Sequence, residues 1–316
     1  MTDRSHGEGI AGARAPAIAA VNIRKRFGGV EALRGASLSV DAGEIVGLVG
    51  HNGAGKSTLV RILHGDLAAD SGEIRLNGAP VEFMSISDAL HKGLGVVRQE
   101  LDLVPDLSVA ENIYLGDEGA FERLGLLDRA RMRESAAPLL ARVGLDIDPG
   151  MRLGSLAIGD QQLVAAARAL RRAASVLLLD EPTSSLSPHE AERLFTQVRA
   201  LAASGVAIVY ISHRIDEVAA LCNRVVVLRD GEAVGEFGDP PRQQAEIIAT
   251  MAPGSGTVGA GTARPHGKPL LEIRDLRTGR HGPCSFTLHA GEILGLFGLV
   301  GAGRTTLART MVGDIR

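Results

Sequence analysis

Gly50-His51-Asn52-Gly53-Ala54-Gly55-Lys56-Ser57, followed by Thr58, matches the spacing G-x-x-x-x-G-K-[S/T]. It stands where that motif needs to stand, at the end of ASLSVDAGEIVGLVG, which reads as a strand, and before a segment with Leu59, Ile62 and Leu63 at helical spacing. Glycines let successive N–H groups curl around phosphate oxygens at the positive end of a helix. In such a loop Gly50, Asn52, Gly53, Ala54, Gly55, Lys56, Ser57 and Thr58 surround the phosphates, Lys56 neutralises the β- and γ-phosphates and Ser57 coordinates Mg²⁺. The segment therefore predicts a nucleotide site on an α/β scaffold.

Upstream of this loop VNIRKRF reads as a strand; downstream, a helix from Lys56 to His64 is stopped by Gly65. From Asp102 to about Ala174 the pattern changes to helix formers, in LSVAENIYL, DRARMRESAAPLLARVG and GDQQLVAAARALRRA. Strand patterns return in SVLLLD, GVAIVYIS and NRVVVLRDGEAVGEF, where Asp230-Gly231 reads as a hairpin turn. Alternating strands and helices predict a mostly parallel sheet, with an inserted helical lobe over about 100–174. Ser175 to Leu179 is an apolar strand that runs into Asp180-Glu181. Adjacent carboxylates at the end of a buried strand call for a cation or a proton-transfer task. Asp180 is placed to hold Mg²⁺ through its waters and Glu181 to polarise an attacking water.

The chain has 316 residues, enough on length alone for about two domains. A net charge of −3 gives no basic field, so nucleic acid is not an expected partner. Apolar stretches such as Val176–Leu179 and Gly205–Ser212 fall far short of a membrane span, and the N-terminus shows no signal pattern. Cys222 and Cys284 cannot form a disulfide framework and show no metal-ligand spacing, which suits a reducing cytosol. Residues 1–16 read as a flexible tail, and the Pro/Gly-rich stretch over 252–269, after a short helix around Gln243–Met251, reads as a linker. Beyond it the chain repeats. AGEIVGLVGHNGAGKST at 42–58 returns as AGEILGLFGLVGAGRTT at 290–306, identical at 11 of 17 positions with an offset of 248. A second copy is expected from about Leu270.

These motifs, in this order, resemble the ATP-binding subunits of ABC transporters, over Ile18 to Met251 almost continuously and again at the start of the second copy. The resemblance implies an ABC-type P-loop ATPase domain with a mostly parallel core, an antiparallel β part and a helical lobe. It implies that Phe27, in KRFGG, stacks on adenine. Gln99, in VVRQE, matches the glutamine that contacts Mg²⁺ and the attacking water, and His213, in YISHR, the switch histidine at the γ-phosphate. Glu181, His213 and Gln99 are then the catalytic set, and Ser57, Gln99 and Asp180 the Mg²⁺ set.

Two segments depart from the family. Where L-S-G-G-Q is usual, this chain has Leu156-Ala157-Ile158-Gly159-Asp160, followed by Gln161-Gln162; Ala157 lacks the hydroxyl and Ile158 replaces a glycine. The second loop, from Gly298 to Gly303-Arg304-Thr305, has Arg where Lys belongs, and a planar fork does not replace a compact ammonium. Arg280 falls near the place of the adenine-stacking aromatic. An intact first loop, a weakened signature and an Arg-bearing second loop resemble the fused monosaccharide-importer ATPases. That implies work with an integral-membrane permease, a secreted or periplasmic solute-binding protein and another ATPase domain, at the cytoplasmic face of the membrane. A soluble non-transport ABC ATPase, or a non-hydrolysing ATP-binding remnant, are the alternatives. Carrying the offset of 248 forward from Met251 would end a complete second copy near residue 499, so the second domain is expected to be incomplete here and turnover by this chain alone weak.

Overall fold

The computed structural model describes residues 15–123, 125–172, 174–252, 267–278, 281–296 and 303–314. Two compact units, Met1–Gly254 and Ser255–Arg316, divide the chain. The first begins with β1 (Ile18–Phe27), β2 (Val30–Val40), β3 (Ile45–Val49), α1 (Lys56–Leu63), β4 (Ser71–Leu76), β5 (Ala79–Val81), α2 (Ile86–His91) and β6 (Leu94–Val97). The helical lobe follows with α3 (Val109–Tyr114), the short pair β7 (Glu122–Arg123) and β8 (Leu126–Leu127), α4 (Arg129–Arg142) and α5 (Ile158–Leu170). Then come β9 (Val176–Asp180), α6 (Pro188–Ala203), β10 (Ala207–Ile211), α7 (Ile215–Leu221), β11 (Arg224–Arg229), β12 (Glu232–Phe237) and α8 (Gln244–Met251).

A six-stranded sheet in the order β12-β11-β3-β10-β9-β6 carries the unit, parallel throughout except for β12. Its central strands are nearly solid apolar runs because both faces are covered. Leu177, Leu179, Ile208, Tyr210 and Val227 pack into a core with the helical lobe, α6 and α7. Their alternates Val46, Leu48, Leu178, Val209 and Leu228 pack with α1 and with a second, antiparallel sheet in the order β2-β1-β4-β5. The stretch that reads as one strand from Ala36 to Gly50 is thus two, in different sheets. The break is a tight turn in which Glu44 N–H donates to Asp41 O (3.1 Å) and Asp41 N–H donates to the Glu44 carboxylate (2.9 Å).

In the lobe, α3 starts at a reciprocal Ser108/Glu111 capping box and α4 at the Asp128 side chain. Arg171 and Arg172, just past α5, both pair with Asp117, and Arg171 also donates to Ile113 O (2.6 Å), which ties the end of α5 to the end of α3.

In the second unit β13 (Pro269–Thr278) pairs antiparallel with β14 (His281–His289), and α9 spans Arg304–Met311. The repeat appears in backbone detail. Gly303 precedes α9 at φ +86° as Gly55 precedes α1 at φ +103°, and each helix runs for eight residues. Asn22 and Asp275 both sit at positive φ, and each donates its N–H to a serine hydroxyl across the hairpin, Ser37 (3.0 Å) and Ser285 (2.8 Å). Most of the expected tail and linker, the position of Arg280, and Gly298 with the rest of 297–302 lie outside the described residues.

Candidate functional site

β3 delivers the chain to its carboxyl end, and the loop from Gly50 turns it into α1. Gly50 has no alternative there: a Cβ would lie 2.2 Å from Leu228 O in β11. Gly55 takes φ +103° with the Ala32 carbonyl where its Cβ would be (2.7 Å), so the hairpin β1–β2 closes over the loop. The turn between β11 and β12 braces it from the other side, with Gly231 N–H donating to Ala54 O (3.0 Å). No side chain caps the N-terminus of α1. Lys56 is only 8% exposed, and its ammonium donates back to Gly50 O (2.6 Å) and His51 O (3.1 Å). Burial pulls its pKa down, while Glu181 and Asp180 pull it up.

The two acids enter from β9. Asp180 is the last residue of that strand, in register with Ile211 of β10, and Glu181 N–H donates to Ile211 O (3.0 Å). Glu181 holds φ +47°, a conformation uncommon for any residue with a side chain. Burial and then the neighbouring Glu181 push the Asp180 carboxyl above its usual range, with Lys56 opposing. His213 follows β10, and its Nδ1 lies 3.0 Å from Glu181 Oε1.

Asn52, Gly53, Gly55, Lys56, Ser57, Thr58, Gln99, Asp180 and Glu181 line one cleft of about 360 Å³. Gly50 and Ala54 are buried, and Ala54 donates its N–H to His51 O (3.1 Å). His213 joins the cleft through Glu181. Phe27 does not line it: the ring is 46% exposed at the end of β1, with the Lys25 ammonium 5.8 Å from its centroid. The signature residues also stand apart, Leu156 packed against the core of the lobe, Ala157 preceding α5 without a side-chain cap, Ile158 exposed and Asp160 paired with Arg193 (3.2 Å). Arg304 and Thr305 open α9 in the second unit as Lys56 and Ser57 open α1. Sequence reading missed Ala32, which lines the cleft and whose residue type carries no signal, and Glu217, a buried acid among the apolar residues of α7. An acid beside Val218 on the packed face of a short helix is the signal that could have found it.

Residues 33–184 match the family model described as ABC transporter. The arabinose import ATP-binding protein AraG of Rhizobium meliloti (strain 1021) is 45% identical over 298 residues, 93% of this chain and 58% of that protein. A putative ribose/galactose/methyl galactoside import ATP-binding protein of Burkholderia ambifaria is 46% identical over 297 residues, 93% of this chain and 57% of its own length. The chain thus spans somewhat over half the length of these relatives. Among solved structures, the ADP conformation of MJ1267, an ATP-binding cassette of an ABC transporter, superposes with a TM-score of 0.67 at 25% identity, covering 74% of this chain and 98% of that one. Residues 33–184 thus carry a cassette of the ABC transporter family.

Proposed function

We propose that this cleft binds ATP with Mg²⁺ and hydrolyses it, and that the chain is the ATP-binding component energising uptake of a monosaccharide through separate membrane subunits. The observation that carries the reading is the cleft itself, which gathers loop residues, Gln99, Asp180 and Glu181 from separate stretches of sequence. The sugar assignment is supported by the arabinose and ribose/galactose importers at 45% and 46% identity.

Among the described residues no three His, Cys, Asp or Glu side chains group as a ready metal site. Asp180, Ser57 and Gln99 suit Mg²⁺, which usually binds through one or two carboxylates completed by phosphate oxygens and water. When bound, the ion neutralises charge on the β- and γ-phosphates. Lys56 and the loop N–H groups hold the phosphates, and Phe27 stacks on adenine from outside the cleft. Glu181 takes a proton from water as its oxygen bonds to the γ-phosphorus and the bond to the bridging oxygen breaks, which leaves ADP and phosphate. His213, against Glu181, contacts the γ-phosphate.

In this reading residues 17–251 are the working cassette, joined by a linker over 252–269 to a second copy from 270. Ala157 and Ile158 make its own signature a weak partner for a nucleotide on another domain, and Arg304 weakens phosphate binding in the second copy. The cassette works at the cytoplasmic face with a permease and a secreted binding protein; no helix of the described residues is long and apolar enough to cross a membrane. The test is fluorescent-ATP binding and phosphate release by the full chain. Lys56→Ala should abolish binding, and Glu181→Gln should bind as the parent does while releasing phosphate on the order of a hundredfold more slowly. Unchanged binding by Lys56→Ala would sink the proposal.

A further inference from the structure

Lys56 and Glu217 are the lysine and the carboxylate that the described part of the chain buries. Lys56 serves the loop. Glu217, 4% exposed on α7, has no part in the chemistry above. Its Oε2 accepts from Thr183 Oγ1 (2.6 Å), from the Tyr210 hydroxyl (2.8 Å) and, at 3.5 Å, from Ser212 Oγ. Its Oε1 pairs with the Arg214 guanidinium. Ser212 Oγ in turn accepts from Arg214 N–H (3.0 Å).

The origins of these donors matter more than their number. Thr183 stands two residues past Glu181, and Ser212 and Arg214 flank His213 on either side. Tyr210 lies in the strand that feeds the second of these loops. Burying a carboxylate carries a large desolvation cost before its partners repay it, and an apolar side chain of similar size often serves stability as well. What an apolar side chain could not do is bind both loops at once. The two loops carry the groups that meet at 3.0 Å, Glu181 Oε1 and His213 Nδ1.

We propose that Glu217 is the positioning residue of the Glu181–His213 pair: its carboxylate clamps the loop after β9 to the loop after β10 and so holds the histidine against the base. The proposal rests on the hydrolytic reading of that pair only for its effect on turnover; the clamp itself is measurable without turnover.

The experiment uses the full chain with ¹⁵N-labelled histidine at one fixed pH. The His213 ring signals are assigned by their loss in His213→Ala. Glu181→Gln should move them, and Glu217→Gln should move or broaden them too, while those of His189, on the exposed side of α6, stay in place. Thr183→Val removes one arm of the clamp without removing the carboxylate, and should shift the same signals less. In phosphate release, Glu217→Gln should lower kcat on the order of tenfold to a hundredfold. KM for ATP should stay within about twofold, as for a group that acts on the reaction step rather than on binding. In a His213→Ala background the same change should add nothing. His213 signals that stay in place in both Glu217→Gln and Thr183→Val would overturn the proposal, as would an undiminished kcat loss in the His213→Ala background. If Glu217→Gln does not fold, Thr183→Val alone decides. A parent chain that binds no ATP while its His213 signals still move on these substitutions refutes the proposed function and supports the clamp.

Discussion

A single methyl group at Gly50 tests how the phosphate loop is supported. A Cβ placed there lies 2.2 Å from Leu228 O, 3.0 Å from Ala54 Cβ and 3.2 Å from the Leu228 carbonyl carbon. Against ordinary contact near 3.4 Å, the oxygen would have to give way by roughly 1 Å. It has nowhere to go. Leu228 lies in β11, where it pairs with Ala233 of β12, and its neighbour Val227 pairs with Val49 of β3. Overpacking against fixed backbone belongs in the upper half of the usual range of about 1–3 kcal/mol. For a unit of this size, about 2–3 kcal/mol lowers the melting temperature by roughly 5–10 °C.

The alternative to a shifted strand is a lifted loop, and that costs function. Gly50 O is the nearer anchor of the Lys56 ammonium, at 2.6 Å, so a lifted loop misplaces the charge that meets the phosphates. Gly53→Ala is the matched control, because nothing lies within 4 Å of its Cβ and only its φ of +87° resists the side chain. That strain is about 1–2 kcal/mol and leaves the base of the loop in place. Thermal melts and fluorescent-ADP titrations of both variants are the assay. Gly50→Ala should melt lower and bind on the order of tenfold more weakly, the loss expected for about 1.4 kcal/mol of binding, with Gly53→Ala losing less of both. A Gly50→Ala chain that melts within about two degrees of the parent and binds equally well refutes the steric reasoning.

Two further outcomes follow from burial. The Asp180 pKa is raised in the folded chain, so its contribution to stability is present at low pH and is lost as pH rises through that raised value. Without nucleotide, Asp180→Asn should therefore melt above the parent at about pH 7, with the gap closing towards about pH 4; a variant that melts lower at neutral pH contradicts this. Cys222 is buried, and burial pushes its thiol up, whereas Cys284 is half-buried. A disulfide reagent should modify Cys284 first and reach Cys222 only as fast as the first unit opens; equal fast rates for both thiols would count against the packing of α7 on β3.

The place of the loop between β3 and α1 was legible because backbone geometry leaves few residue types for such a turn, and that of Asp180-Glu181 because an apolar strand has little other reason to end in two acids. The division of Ala36–Gly50 between two sheets was harder to see. Burial alternates along β2 and is unbroken along β3, and only a change of period marks the passage from a one-sided to a two-sided strand. The pair β7–β8 is too short to have a period at all. The place of Phe27 outside the cleft depends on how far the hairpin β1–β2 reaches, which its own residues do not encode. Glu217 is bound by Tyr210 from 7 residues away and by Thr183 from 34, so no local pattern announces it.

On the proposed reading, the charges of the cleft favour nucleotide and cation arriving together. Lys56 faces Asp180 and Glu181, so the lining is short of positive charge before any polyphosphate enters. The uncapped N-terminus of α1 adds about half a positive charge and the loop N–H groups extend it, which favours phosphate but leaves the two acids uncompensated. A divalent cation supplies to the carboxylates what phosphate supplies to Lys56. Burial, and then the neighbouring Glu181, raise the Asp180 pKa, so positive charge brought to that carboxylate is favoured. The Lys56 bonds to Gly50 O and His51 O keep the loop shaped in the meantime, so an incoming phosphate meets an ammonium already aimed from its own loop.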